Sequence, residues 1–497
     1  MRLLHLRHSS TRLFVDLSFF SEIIEDERRL GFSTKSPSWL HWIFSPPLKH
    51  QAKTMKIAPF YRIIVFLLFS SCMTVLMMGS SLTYVQAQNL KTLIDSRSAD
   101  LEDRVIEWRR HIHQNPELSN REYKTAEYIT EHLTELGLDV QTGVAHTGVV
   151  AILEGAAPGP VVALRADMDA LPVTERTPLP FKSTAIGEYQ GNQVGVMHAC
   201  GHDTHVAILM GVAEILTEFR SELKGTVKFI FQPAEEGAPK GEEGGAELMV
   251  KEGILNNPDV DVIFGLHISD ATPVGMITYK EGGIMASSNS FQITVKGKQA
   301  HGSAPWSGVD PIVTSAQIIN NLQTIISRNM ELTNEAAVVT IGQIHGGVRS
   351  NIIPEEVFME GTIRALNNDM RDAIFERIKT IATKTAEANN AAAEVVISNG
   401  YPITFNDPEL TQAMVPTLKE TAGENMVITM PAITGAEDFS FFQQQIPGLY
   451  FFLGGLPAGG TPAGHHTPDF YIDESGLELG VRSLSHLVVD YFESAGN

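Results

Sequence analysis

An α/β fold carrying an inserted ferredoxin-like (βαββαβ) domain is what this 497-residue chain predicts. Three observations carry that expectation. Short β-rich runs alternate with amphipathic stretches from about Gln88 onward. Three of those runs lead directly into clusters of His, Cys, Asp and Glu, as expected at the carboxyl edge of an open α/β sheet. Between Gly282-Gly283 and Asn399-Gly400 the pattern changes to strand, helix, two strands, long helix and strand.

The elements follow in order. Ala99 to Asn115 and Arg121 to Leu136 read as amphipathic helices, and Gly148 to Leu153 and Val161 to Leu164 as strands. Val206, Leu209, Met210, Ala213 and Leu216 have helical spacing. Val227 to Phe231 and Val262 to Phe264 read as buried strands. In the insert, Phe291, Ile293 and Val295 alternate as in a strand, and Asp310 to Arg328 reads as a helix. Ala336 to Ile344 and Glu355 to Ile363 read as strands, Asn368 to Asn389 as a helix and Ala393 to Ser398 as the last strand. After it come a helix over Glu409 to Ala422 and a buried strand over Leu449 to Gly454.

Composition narrows the class. Hydrophobic residues make up 43% of the chain, enough for a large core, and the formal net charge of -21 excludes nucleic acid as an expected partner. The two cysteines, Cys72 and Cys200, do not make a disulfide framework, because Cys72 lies in a leader-like segment. There, Lys56 and Arg62 precede an uncharged, mostly apolar stretch, followed by Val85-Gln86-Ala87-Gln88. This pattern predicts residues 1–54 as an extension ahead of an initiator at Met55, 55–87 as a signal peptide and cleavage after Ala87. The product would be exported, periplasmic or secreted; the alternative is a membrane anchor formed by residues 63–84. The remainder divides into 95–284 and 399–497 as two parts of one catalytic domain, with 285–398 inserted between them.

The densest chemistry lies in Met197-His198-Ala199-Cys200-Gly201-His202-Asp203-Thr204-His205. Thiol, imidazole and carboxylate side chains all bind transition metals. Glu235-Glu236, His267 and His465-His466 follow at intervals. Ligands scattered in this way converge from several loops in metallohydrolases. Standing alone, a buried cysteine such as Cys200 is more often a small hydrophobe, and helix-start histidines such as His198 and His205 are more often structural. The Glu242-Glu243 part of the acidic run reads as a solvated loop.

Arg165-Ala166-Asp167-Met168-Asp169-Ala170-Leu171-Pro172 and His198-Ala199-Cys200-Gly201-His202-Asp203 resemble motifs of the M20 metallopeptidase family. The similar subgroup is that of hippurate hydrolase, N-acyl-amino-acid amidohydrolases and auxin-conjugate hydrolases. Gln232-Pro233-Ala234-Glu235-Glu236-Gly237, Ala300-His301-Gly302-Ser303-Ala304-Pro305, Asn351-Ile352-Ile353-Pro354, Gly361-Thr362-Ile363-Arg364 and His466-Thr467-Pro468 extend the resemblance in the same order. It implies a zinc-peptidase-like catalytic domain with an inserted dimerisation or lid domain. It also implies two divalent transition-metal ions (Mn, Zn, Co or Ni) held by Cys200, His202, Glu236, His267 and His466. His465 and His466 compete for one ligand role, and the spacing to Pro468 favours His466. Asp169 would orient a ligand, with Asp167 assisting. Glu235 would be the general base and His301 would steady the oxyanion, often from a partner subunit. Asn351 and Arg364 would meet the substrate carboxylate. His113 would be a structural element around the site, and Glu437 and Asp438 would support it from behind.

The activity so implied is metal-dependent hydrolysis of N-acyl-L-amino acids by a metal-activated water. A small-molecule substrate and a homodimer joined through the insert go with it. An exported dipeptidase or carboxypeptidase is the alternative, and a non-catalytic binding protein on the same fold is a remoter one.

Overall fold

A computed structural model describes residues 88–495. The expected extension and signal peptide, residues 1–54 and 55–87, lie outside the described residues.

An eight-stranded mixed sheet forms the centre of the larger part. Its order in space is Asp139–Val144, Gly148–Glu154, Lys224–Gln232, Ala157–Asp167, Val262–Pro273, Gly448–Leu456, Ile277–Tyr279 and Val427–Thr429. The middle pairs, from Lys224–Gln232 across to Gly448–Leu456, are parallel. These strands are buried nearly end to end, so they read as continuous apolar runs rather than alternating ones. Helices cover the sheet. The most deeply buried is His202–Glu218, in which every residue from His202 to Leu216 is inside.

The insert has its own four-stranded antiparallel sheet, ordered Ala337–Gly346, Glu356–Ala365, Asn289–Lys296, Ala392–Asn399. Together with the helices Pro311–Thr324 and Asn368–Ala388, this is the ferredoxin-like connection. Phe291, Ile293 and Val295 point to one face and pack on Ile318, Leu322, Ile374 and Ile378, which explains their alternation in sequence. At the root of the insert, Gly282–Met285 pairs with Thr404–Asn406. The chain then returns to the large sheet, where Gly448–Leu456 lies beside Val262–Pro273. The insert therefore leaves and re-enters close to the strand that carries His267.

Several boundaries differ from expectation. The first helix is already formed at residue 88 and runs to 114, because Leu90, Ile94, Leu101 and Val105 continue one buried stripe. The helix in the insert gives way to a π turn at Ile325–Asn329. A C-terminal helix, Leu477–Ala495, was not anticipated, although Leu477, Leu484, Leu487 and Val488 give it a buried face.

Phe451 is fully buried in the central strand. Phe451→Ala is expected to cost about 3–5 kcal/mol through lost transfer energy and the cavity left behind. The check is a lower denaturant midpoint with an unchanged slope.

Candidate metal centre

The polar clusters meet at one edge of the large sheet. Asp167 is the last residue of its strand, and Glu235 and Glu236 follow the strand Lys224–Gln232. His267 differs from expectation: it lies inside Val262–Pro273, not after it. It is nonetheless beyond Gly265, where pairing with Ala157–Asp167 ends. Cys200 and His202 flank Gly201 at the start of the helix His202–Glu218. Gly201 has φ +99, and a Cβ there would meet Ile268 Cγ2 at 2.3 Å, so only glycine lets Cys200 and His202 turn inward. Ala234 at φ +53 makes a similar turn before Glu235.

Among the described residues, Cys200, His202 and His267 offer donor atoms close enough to share one cation, as do Cys200, Glu236 and His466, and His202, Glu235 and Glu236. Cys200 Sγ lies 3.3 Å from His267 Nε2. His466 Nε2 lies 3.1 Å from Glu236 Oε1, and His202 Nε2 lies 3.9 Å from the same oxygen. All five residues expected to bind metal are thus gathered. His466 adopts φ +61 and has a side chain 54% exposed, so it closes the cluster from the solvent side.

Three features fit a transition-metal ion. Buried His202 Nε2 makes no hydrogen bond with another described residue. His267 Nδ1–H donates to Ile268 O at 2.6 Å, leaving Nε2 with a lone pair facing Cys200. Burial, then the histidines His205 and His465, holds the His267 imidazole well below its ordinary pKa and keeps it neutral. Burial and the carboxylates Glu236 and Glu235 push the Cys200 thiol well up, so it ionises only against a bound cation.

His205 is also close to His202 and Asp167, yet it is not free to bind metal. Its Nε2 accepts from Ile268 N at 2.8 Å, so Nδ1 carries the proton and donates to Asp167 Oδ1 at 2.5 Å. His205 ties the His267 strand to Asp167, in keeping with the structural reading. His113 is buried between Asp203 at 2.9 Å and Glu175 at 3.3 Å. His198 is buried with neither nitrogen hydrogen-bonded to another described residue, and burial lowers its pKa to about 3. His465 turns away from Glu236: Nδ1 lies 3.2 Å from the Cys200 carbonyl and Nε2 lies 3.5 Å from Asp270.

Asp169 organises the Glu235-Glu236 turn. Its two oxygens accept from the backbone N–H of Glu235 and of Glu236, each at 3.0 Å, and Oδ1 lies 3.3 Å from His202 Nδ1. Burial, with Glu437, Glu236 and Asp438 behind it, pushes the Glu235 carboxyl well above the usual carboxylate range. Beneath the turn, Arg165 is fully buried. It donates to Asp167 at 2.6 Å, to Glu437 and Asp438 at 2.9 Å and to Gln232 at 2.8 Å.

The residues expected from the insert are not joined to this cluster. His301 is exposed and shares an open cavity of about 600 Å³ with Arg349 and Asn351. Its Nδ1 accepts from Ser303 N at 3.1 Å, so Nε2 carries a proton available to an oxyanion. Arg364 does not line that cavity; its Nη1 donates to Ile363 O at 3.1 Å.

Reading the sequence missed Arg165, Glu122, Tyr401 and Arg349. Glu122 accepts from Ala234 N at 2.9 Å, and burial with Asp169 nearby raises it to about 8. Tyr401 O–H donates to the Glu235 carbonyl at 2.6 Å. None of them has a spacing signal of its own. Arg165 alone sat within a motif already singled out.

An α/β sheet whose edge gathers a thiol, three imidazoles and a carboxylate around a buried carboxylic acid defines a metallohydrolase. Residues 163–490 match the profile of peptidase family M20/M25/M40, and the chain belongs to that family. It is a metal-dependent amidohydrolase of the M20 type. Thermostable carboxypeptidase 2 of Saccharolobus solfataricus is 41% identical over 395 residues, 79% of this chain and 96% of that protein. N-acetylcysteine deacetylase of Bacillus subtilis is 39% identical over 394 residues, 79% of this chain and 97% of that protein. The crystal structure of Bacillus subtilis YXEP, described as a dinuclear metal-binding peptidase of the M20 family, superposes with TM-score 0.67 at 37% identity. That match covers 80% of this chain and 99% of YXEP.

Arg165→Met leaves Asp167, Glu437 and Asp438 buried without their cation. The expected loss is about 3–5 kcal/mol, measured by denaturant unfolding. Adding Glu437→Gln and Asp438→Asn to it should recover part of that loss.

Proposed function

We propose that the protein hydrolyses the amide bond of N-acyl-L-amino acids, N-acetyl, benzoyl or similar, to a carboxylate and a free amino acid. The observation that carries this reading is Glu235, a buried carboxyl beside the ligand cluster whose backbone, not its side chain, is tied down by Asp169. Cys200, His202, Glu236, His267 and His466 would hold two divalent ions (Mn, Zn, Co or Ni), which would supply Lewis acidity and lower the pKa of a bound water. Glu235, made basic by burial and by its carboxylate neighbours, takes the proton of the attacking water. It then delivers that proton to the leaving amine nitrogen. The Nε2–H of His301 stabilises the oxyanion. Asp169 keeps the Glu235-Glu236 turn and the His202 ring in place.

A carboxypeptidase or dipeptidase acting at the same site is the second reading, favoured by the 41% identical relative named as a carboxypeptidase. Amine release from matched N-acetyl-amino acids and dipeptides, with Mn²⁺ or Zn²⁺, separates the two. In either case Glu235→Gln should lower kcat by about 10²–10⁴-fold while metal content, read by elemental analysis, stays the same. Retained activity would remove Glu235 as the base.

A homodimer joined through the insert is part of this proposal. Trp306 is 83% and Val348 is 89% exposed, and Val338 and Ile344 are exposed on the edge strand Ala337–Gly346. An unpaired edge with apolar neighbours suits pairing with a second copy. It would also bring His301 to a partner's metal centre. Sedimentation should give twice the chain mass for the wild type and a shift toward monomer for Trp306→Asp. Export after removal of 55–87 belongs to the same reading and is tested by the N-terminal sequence of the mature protein.

A further inference from the structure

Four consecutive residues ahead of the helix Tyr123–Glu135 grip the segment that carries Glu235. Ser119 Oγ–H donates to Asp169 Oδ2 at 2.7 Å. Asn120 Nδ2 donates to Glu243 O at 3.0 Å, and Arg121 pairs with Glu242 at 2.6 Å. Glu122 Oε1 accepts from Ala234 N at 2.9 Å. Together with the bonds to Asp169, three successive backbone N–H groups, those of Ala234, Glu235 and Glu236, end on two buried carboxyl groups.

Glu122 gives up its local role in this arrangement. It occupies the N-cap position of Tyr123–Glu135, where a side-chain oxygen usually accepts from its own helix, yet it makes no such bond. Glu117 does so instead, accepting from Lys124 N at 2.8 Å and Thr125 N at 2.9 Å. The second oxygen of Glu122 lies 2.6 Å from Thr147 Oγ1. Thr147 ends the loop between the strands Asp139–Val144 and Gly148–Glu154, where Ala145 has φ +46 and His146 has φ +81. Ala234 has φ +53. Residues with a Cβ hold such angles only where neighbouring contacts fix them, and Glu122 bridges both turns. Burial, then the nearby Asp169, raises the Glu122 carboxyl to about 8. At neutral pH it is therefore an acid, with a carbonyl oxygen to accept from Ala234 and an O–H to donate to Thr147. Glutamine offers the same shape, acceptor and donor.

Resting on the reading above, we infer that Glu122 is a positioning residue for the reaction: by holding Ala234 N–H it fixes the left-handed turn that aims the Glu235 carboxyl. Glu122 touches no reacting atom. Asp169 holds the two residues after Ala234, so loss of Glu122 changes the entry into the turn and leaves the Glu236 end tied.

The test measures kcat, KM and metal content of wild type, Glu122→Leu and Glu122→Gln on N-acetyl-L-methionine and glycyl-L-methionine. Glu122→Leu should lower kcat about 10²-fold at unchanged metal content, with KM little changed. Glu122→Gln should recover most of that loss. Added to Glu235→Gln, Glu122→Leu should lower kcat no further, because both changes act through one carboxyl. Should Glu122→Leu not fold, Glu122→Asp, which draws the carboxyl back from Ala234 by one methylene, takes its place with the same expectations. An unchanged kcat, a loss that tracks loss of metal, an equal loss in Glu122→Gln, or the same fractional loss on top of Glu235→Gln would overturn the assignment. If wild type turns over neither substrate, the hydrolase reading falls instead. Hydrogen exchange of the segment 232–237 then decides: faster exchange in Glu122→Leu supports its hold on the turn, and equal protection rejects it.

Discussion

Arg165 is the interaction on which the rest of the centre depends. One fully buried guanidinium faces Asp167, Glu437 and Asp438, all inside the protein. Burying such charges is tolerable only when they are paired and hydrogen-bonded. Here each partner also has a second task. Asp167 accepts a hydrogen bond from His205 Nδ1–H, and His205 in turn holds the backbone of Ile268 beside His267. Asp438 accepts from Gln232 and from Ala246, and Glu437 accepts from Tyr450. The cation thus stitches together the ends of the strands Ala157–Asp167 and Lys224–Gln232, as well as the segment after the insert.

That arrangement gathers buried carboxyl groups behind the centre, and this has a chemical use. Glu235 lies above Glu437 and Asp438, which, together with burial, hold its proton strongly. An acid so placed is a better base once ionised than an exposed carboxylate. The same field favours cations in the neighbouring ligand cluster, where the Cys200 thiol gains its charge only against a metal. One buried ionic frame therefore stands behind both the candidate ligand cluster and Glu235.

Much of this was legible in the sequence because it is local. Cys200, Gly201 and His202 lie on one turn, Glu235 and Glu236 follow one strand, and β-alternation identified the insert. What was illegible depends on long-range partners. Glu122 reads as an ordinary charged residue near a helix start until Ala234 and Thr147 are folded onto it. His465 and His466 are neighbours with the same chemistry, and only the left-handed backbone at His466 sends one to Glu236 and the other to Asp270. Arg349 and Arg364 pose the same problem, since spacing ranks their motifs but does not say which guanidinium faces a cavity.

Glu235 is also tied to the insert. Tyr401 follows the last insert strand, Ala392–Asn399, and its hydroxyl donates to the carbonyl of Glu235 at 2.6 Å. On the other side of the same root, Ser288 N donates to Tyr401 O at 2.9 Å, just before the first insert strand. Any rotation of the insert about its two-stranded root must therefore strain or carry the Glu235 turn. The position of the insert and that of the Glu235 turn are joined through this hydrogen bond.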